Sequence, residues 1–170
     1  DQDELIRQVV AVNPNTIVVL NVGSPVEMPW ADQVPAILQL WYDSQEQGNA
    51  LADVLFGDVN PSGKLPVSFP RSVGQIPIHY DYKNTGRPPA ELKYTSKYLD
   101  VSNSPLYPFG YGLSYTTFSY SKLSVDKRTM SVGDSLIVSV QVKNTGKRKG
   151  DEIAQLYIRD LVSSVTRPVR

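Results

Sequence analysis

The spacing of the apolar residues changes along this chain, and that change limits what it can fold into. Between Thr16 and Tyr42 they come as unbroken runs, Thr16-Ile17-Val18-Val19-Leu20-Asn21-Val22 and Ala36-Ile37-Leu38-Gln39-Leu40-Trp41-Tyr42. Beyond Phe118 they alternate with other residues: Phe118 and Tyr120 with serines, and Leu136, Val138, Val140 and Val142 with Ile137, Ser139 and Gln141. An unbroken β-branched run suits a strand covered on both faces, as in a parallel sheet between helices. Alternation suits half-buried antiparallel strands. The 170 residues are therefore expected to hold parts of two domains, since one domain alone takes about 100–150.

Helices flank the first pattern. Residues 1–12 open with acids, where the positive end of a helix favours them, and repeat Leu5, Ile6, Val9 and Val10 at helical spacing. Ser44 and Gln47 have capping-box spacing ahead of Ala50, Leu51, Val54 and Leu55, and Gly57 should end that helix. Helix, strand, strand, helix is the order of a layered α/β domain seen in its later part, its first strands lying before Asp1.

From Asp58 to Pro108 no period survives, and Pro, Gly, Asn and Tyr dominate around short extended pieces, Leu65 to Phe69 and Ile76 to Tyr80. A loop of this length is expected to be functional or pinned across another surface, and its tyrosines favour pinning. Past the Asn144-Thr145-Gly146 turn, Ala154, Leu156 and Ile158 mark a third strand over residues 152–159. Three strands are fewer than half of an immunoglobulin-like sandwich, which needs about seven, so the chain is expected to stop inside its second domain.

Seventeen basic and seventeen acidic side chains cancel, which removes the long-range field that nucleic acid or an anionic membrane would require. A neutral partner such as a sugar fits that balance. No cysteine is present, so disulfides and thiolate metal sites are excluded and the redox compartment stays open. No apolar run approaches the roughly 20 residues needed to cross a bilayer, and Asp1-Gln2-Asp3-Glu4 has the wrong charge for a signal peptide, so the signal of an exported parent would lie upstream.

Individual residues offer little chemistry. Glu46 stands at a helix start, where exposed N–H groups stabilise a carboxylate, and Asp58 stands in a turn before Asn60-Pro61. Asp100, in the tyrosine-rich loop, is the acid best set to approach a sugar. Pro61-Ser62-Gly63-Lys64 lacks the phosphate-loop glycine and hydroxyl, with Asp58 and Leu65 in their places. His79 is the single histidine, which leaves a transition metal little to bind, and no Gly-x-Ser-x-Gly elbow occurs. Trp30, Trp41 and tyrosines 94, 98, 107, 111 and 115 can stack on sugar C–H faces, although Trp41 is read as packing. Tyr94, Tyr98 and Asp100 are the candidates for a substrate rim. Lys143, Lys147, Arg148 and Lys149 surround a turn and read as its solvated face.

Several runs occur together in order: Gln45-Glu46-Gln47-Gly48-Asn49-Ala50, Leu55-Phe56-Gly57-Asp58, Asn60-Pro61-Ser62-Gly63-Lys64-Leu65-Pro66, and Pro108-Phe109-Gly110-Tyr111-Gly112-Leu113-Ser114-Tyr115. They resemble the C-terminal half of bacterial family 3 glycoside hydrolases, the β-glucosidase and β-xylosidase family. Gly86-Arg87-Pro88, Lys93 to Tyr98 and Asp100 are most similar to the periplasmic type of β-glucosidase. One departure is visible: many members carry Pro-Gly before the Gln-Glu pair and Gly-Gly after it, where this chain has Asp43-Ser44 and Gln47-Gly48.

The resemblance implies the later part of a flavodoxin-like α/β sandwich over residues 1–80, a linking segment over 81–117, and the first strands of a fibronectin type III-like domain over 118–170. It implies a retaining, exo-acting β-glucosidase as the parent, exported to the periplasm or medium. Both catalytic carboxylates would lie upstream, on a barrel domain and on a loop before residues 1–12. No catalytic residue is assigned to this chain, which is expected to be inactive alone and to need no cofactor or metal, since two carboxylates suffice. Expected partners are a β-glucoside oligosaccharide or aryl glucoside and the upstream barrel, with homodimerisation left open. The competing readings are a β-xylosidase of the same family and a noncatalytic carbohydrate-binding or adhesion module.

Overall fold

A computed structural model describes residues 1–170 except Asp43, Asn84, Thr166, Pro168 and Arg170. The chain divides into two compact units, described separately. The first comprises Asp1–Leu51, Lys64–Tyr111 and Gln155–Arg170, and the second Ala52–Gly63 and Gly112–Ala154.

The first unit opens with helix α1, Gln2–Val12. Asp1 caps it, its carboxylate accepting from the Glu4 N–H at 2.9 Å, and the acids of the first turn meet the positive end of the helix. The inward stripe is not the apolar set anticipated from the sequence. Asp3, Ile6 and Val10 turn inward while Leu5 and Val9 stay exposed. Asp3 belongs inside because it accepts the indole N–H of Trp30 at 2.8 Å, and Trp30 is 2% exposed.

Strand β1, Ile17–Leu20, pairs in parallel with β2, Ala36–Gln39, with Ile17 opposite Ala36 and Leu20 opposite Gln39. Trp41, anticipated inside the strand, lies beyond it at φ 60°, and its ring centroid stands 5.9 Å from that of Phe69. Val18, Met28, Trp30, Ala31 and Phe69 form the buried core, with Ile6, Leu20, Ile37, Trp41 and Tyr107 packed around it. Ile17 remains about half exposed, so the double-sided cover expected of β1 is only partly supplied by the described residues.

Helix α2 spans Gln47–Phe56 and ends at Gly57, whose φ of +81° only glycine adopts without cost. Ser44 and Gln47 meet through the backbone, the Gln47 N–H donating to the Ser44 carbonyl at 3.2 Å.

Two of the sequence runs pair directly in the first unit. Leu65 N–H donates to the Tyr111 carbonyl at 2.8 Å, Gly110 N–H to the Leu65 carbonyl at 2.7 Å, and Phe69 N–H to the Tyr107 carbonyl at 2.8 Å. Ile76 to Tyr80 forms no strand, and a short 3-10 turn, Val73–Gln75, precedes it. Residues 152–159, expected as a third strand, carry no strand pairing. Within the first unit Tyr157 instead meets Tyr80 edge to face at 5.7 Å, and the Gln155 amide donates to the Gly110 carbonyl at 3.0 Å.

The second unit is built on an antiparallel pair, β3 Phe118–Val125 and β4 Val138–Asn144, with Phe118 opposite Asn144 and an irregularity between Ser121 and Ser124. Strand existence and partnership follow the alternation. The half-burial does not: apart from Phe118 and Val138, every residue of both strands is exposed. Arg148, anticipated as part of a solvated turn, donates from Nη1 to the Gly57 carbonyl at 3.1 Å, and its guanidinium lies 5.8 Å from the Tyr115 ring centroid.

Candidate functional site

The long loop is closed on itself by its own hydrogen bonds. Ser96 N–H donates to the Arg87 carbonyl at 2.9 Å, and Thr85 Oγ1 to Ser96 Oγ at 3.0 Å. Lys97 Nζ donates to the Ala90 and Glu91 carbonyls at 2.9 and 3.0 Å, while Asn103 bridges Ser96 and Tyr98. Tyr94 and Leu99 are not pinned within the described residues, at 75% and 93% exposure, whereas Tyr80, in the same aperiodic stretch, stacks on Phe109 at 4.3 Å.

The loop forms one wall of a groove of about 390 Å³ whose other wall is the segment from Gln75 to Tyr82. Buried Gln75 fixes the junction between the walls. Its Oε1 accepts from Arg71 N–H at 2.6 Å, and its Nε2 donates to the Ser102 and Ser104 carbonyls at 2.7 and 3.3 Å. On that second wall, His79 Nδ1 lies 2.7 Å from the Asp81 carboxylate. An ionised carboxylate can only accept, so Nδ1 carries the hydrogen and Nε2 is the ring's remaining polar atom. Among the described residues lining the groove none is acidic.

Of the three rim candidates, Tyr98 lines this groove, whereas Tyr94 and Asp100 are exposed outside its lining. Tyr107 and Tyr111 face each other, ring centroids 5.1 Å apart. Burial first, then the neighbouring Tyr111 and Asp32, push the Tyr107 phenol above its ordinary pKa, consistent with packing rather than display. Tyr115 is likewise committed, its hydroxyl donating to the Val54 carbonyl at 2.8 Å. Glu46, just ahead of α2, accepts from Asn49 at 2.6 Å. No group of three or more His, Asp or Glu side chains among the described residues could hold a metal. No helix among them is long and apolar enough to cross a membrane.

Sequence reasoning passed over Asp3, Asn60 and Gln75. Each is a polar residue with at least one partner 27 or more positions away. Only the Asn60-Pro61 turn signal pointed near one of them.

Comparison with known proteins places this arrangement. The sequence profile of the glycosyl hydrolase family 3 C-terminal domain matches residues 1–115. A periplasmic beta-glucosidase of Salmonella typhimurium is 51% identical over 99% of this chain, which spans 23% of that protein. A thermostable beta-glucosidase B of Acetivibrio thermocellus is 47% identical, again over 99% of this chain and 23% of its own length. Among solved structures, the Listeria innocua beta-glucosidase in complex with isofagomine superposes with a TM-score of 0.90 at 40% identity, covering 98% of this chain and 24% of that one. A mutant of the Listeria enzyme in complex with laminaribiose gives the same score and coverage. The chain thus spans about a quarter of the length of the relatives it matches.

Proposed function

The chain belongs to glycosyl hydrolase family 3, and from that premise we propose that it is a C-terminal portion of a retaining, exo-acting β-glucosidase that cleaves short β-linked glucosides. The observation that carries this reading is sequence identity of 46 to 51% along 99% of the chain to proteins described as beta-glucosidases. On this reading residues 1–80 are the later part of an α/β sandwich, 81–117 link it onward, and 118–170 begin a fibronectin type III-like domain. The parent works in the periplasm or outside the cell, as the name of the Salmonella relative suggests.

Retaining hydrolysis takes two carboxyl groups about 5–5.5 Å apart, one attacking the sugar and the other protonating the leaving group. We place both upstream of this chain. The acids weighed from the sequence support that placement: Glu46 is engaged with Asn49, and Asp100 stands outside the groove. The role of these residues is then structural, holding the domain that presents the acid/base group. Tyr94, Tyr98 and Asp100 rim the aglycone side, with Tyr98 the member that lines the groove.

Assaying the full-length polypeptide and residues 1–170 side by side with an aryl β-glucoside tests this. The full-length protein should release glucose with retained β-configuration, seen by NMR of the first-formed sugar, and the shorter chain should release none. Turnover by residues 1–170 alone would overturn the upstream placement, and inversion would overturn the mechanism.

A further inference from the structure

Asp3 and Trp30 make a bond that core stability alone does not require. Asp3 accepts the indole N–H at 2.8 Å, and the ring behind it, 2% exposed, is wedged among Val18, Met28, Ala31 and Phe69. Leucine facing phenylalanine would fill such a place at similar stability, because replacing both partners of a buried polar pair by apolar groups of the same shape is nearly neutral. What the pair adds is direction.

The rest of α1 grips the core lightly. Ile6 is its residue packed against the core cluster, while Leu5 and Val9 are exposed. Among the described residues, its other side-chain hydrogen bonds, from Arg7 and Gln8 to Glu4, stay within the helix. An apolar contact is non-directional and lets a helix roll about its axis, whereas a hydrogen bond one turn away has a preferred line and resists the roll. The anchor is itself fixed: the Trp30 carbonyl accepts from Gln33 N–H at 2.8 Å, and the Met28 carbonyl from Ala31 N–H at 3.0 Å. The hold therefore acts on the first turn, where the polypeptide enters α1.

The β-glucosidase reading above, on which this inference rests, puts the group that protonates the leaving oxygen on the loop that runs into α1. We infer that Asp3 is a positioning residue for that acid: by holding the first turn of α1 to Trp30 it fixes the downstream end of the loop. The acid gives its proton to the glycosidic oxygen as the bond to the anomeric carbon breaks. A misplacement of about 1 Å can cost about 100-fold in rate, and general acid catalysis contributes about 100- to 10,000-fold. Loss of the hold should therefore weaken leaving-group protonation and spare attack by the nucleophile.

The test uses the full-length protein and two substrates that differ in their need for the acid. Dinitrophenolate departs without a proton, whereas phenolate has to be protonated. In kcat/KM, which reports the first bond-breaking step, Asp3→Ala and Trp30→Phe should each lose about tenfold or more on phenyl β-glucoside and stay within about twofold on dinitrophenyl β-glucoside. Asp3→Asn keeps an oxygen for the indole N–H and should stay within about twofold on both. Equal losses on the two substrates, no loss in folded Asp3→Ala, or Asp3→Asn as impaired as Asp3→Ala overturns the proposal. Where Asp3→Ala does not fold, Trp30→Phe, which keeps most of the ring volume, decides. A wild-type protein that cleaves neither glucoside overturns the β-glucosidase reading, and this role of Asp3 falls with it.

Discussion

The side-chain oxygen of Asn60 accepts the backbone N–H of Tyr115 at 2.7 Å. The Ser114 hydroxyl lies 3.1 Å from the same oxygen and 2.9 Å from the Asn60 amide nitrogen. Within the second unit this one amide joins the turn after α2 to the segment that leads into β3. Asn60-Pro61 and Ser114-Tyr115 each supply half of this hydrogen-bonded junction. Removing the amide takes away the acceptor of an exposed N–H and the part-buried partner of Ser114, so Asn60→Ala should destabilise the unit by about 0.5–1.5 kcal/mol. Urea denaturation followed by tyrosine fluorescence measures this, and Asn60→Asp, which keeps the acceptor, should lose less.

Gln75 presents a similar case in the first unit, at higher stakes. It is 1% exposed, and both ends of its amide are satisfied by backbone groups of residues 71, 102 and 104. Gln75→Leu keeps most of the volume but strands an N–H and the carbonyls, at about 1–3 kcal/mol for each group left unsatisfied. Because Gln75 also joins the two walls of the groove, hydrogen exchange at Arg71 and across residues 102–104 should accelerate. Unchanged exchange there would show that the amide does not hold the junction.

These two residues mark the boundary of what the sequence made legible. Apolar period located α1, β1, β2, α2, β3 and β4 because burial imposes a repeat that local spacing records. It failed at residues 152–159, where alternation was present but Tyr157 packs on Tyr80 rather than entering a ladder. Spacing alone cannot tell these outcomes apart, since Ala154, Leu156 and Ile158 alternate in sequence yet stay exposed among the described residues. Inside α1 it misjudged the inward face, because an acid satisfied by Trp30 displaced an apolar residue from the stripe. The rim candidates were chosen by loop position, and only Tyr98 reached the groove.

Phe69 is the most completely buried aromatic of the core, at 2% exposure. It meets Trp41 at a tilted 5.9 Å and sits where Leu65–Phe69 pairs with the segment around Tyr107. Phe69→Ala removes the ring and leaves a cavity under Trp41, which should cost about 3–5 kcal/mol. Phe69→Leu fills part of that space and should lose clearly less. Comparing denaturation midpoints of the two variants checks the order; equal losses would show that the site collapses around either side chain.

Gly110 combines a φ of +78° with a close approach. A Cβ built there would stand 2.1 Å from Gln155 Oε1 and 2.9 Å from the Tyr157 hydroxyl. Gly110→Ala therefore carries both backbone strain, about 1–3 kcal/mol, and displacement of the Gln155 amide from the Gly110 carbonyl. The double variant Gly110→Ala with Gln155→Ala separates the two. It should recover the steric part of the loss and retain the strain, and full recovery would show that the backbone conformation costs nothing.

The phenol of Tyr120 donates to the Glu152 carboxylate at 2.8 Å. That hydrogen bond, then desolvation and the charge of Glu152, raise the Tyr120 pKa above its ordinary value of 10.0. The protonated phenol is the form that binds Glu152, so the folded pKa lies above the unfolded one. The stabilisation is then complete below the unfolded pKa and disappears as pH rises through the folded pKa. Tyr120 is about half exposed, so the effect on stability is small, and the titration itself is the sharper readout. Glu152→Gln removes the negative charge and should bring the Tyr120 midpoint back toward 10.0, seen in the tyrosine ring resonances across an alkaline titration. A midpoint that does not fall would show that Glu152 is not the cause.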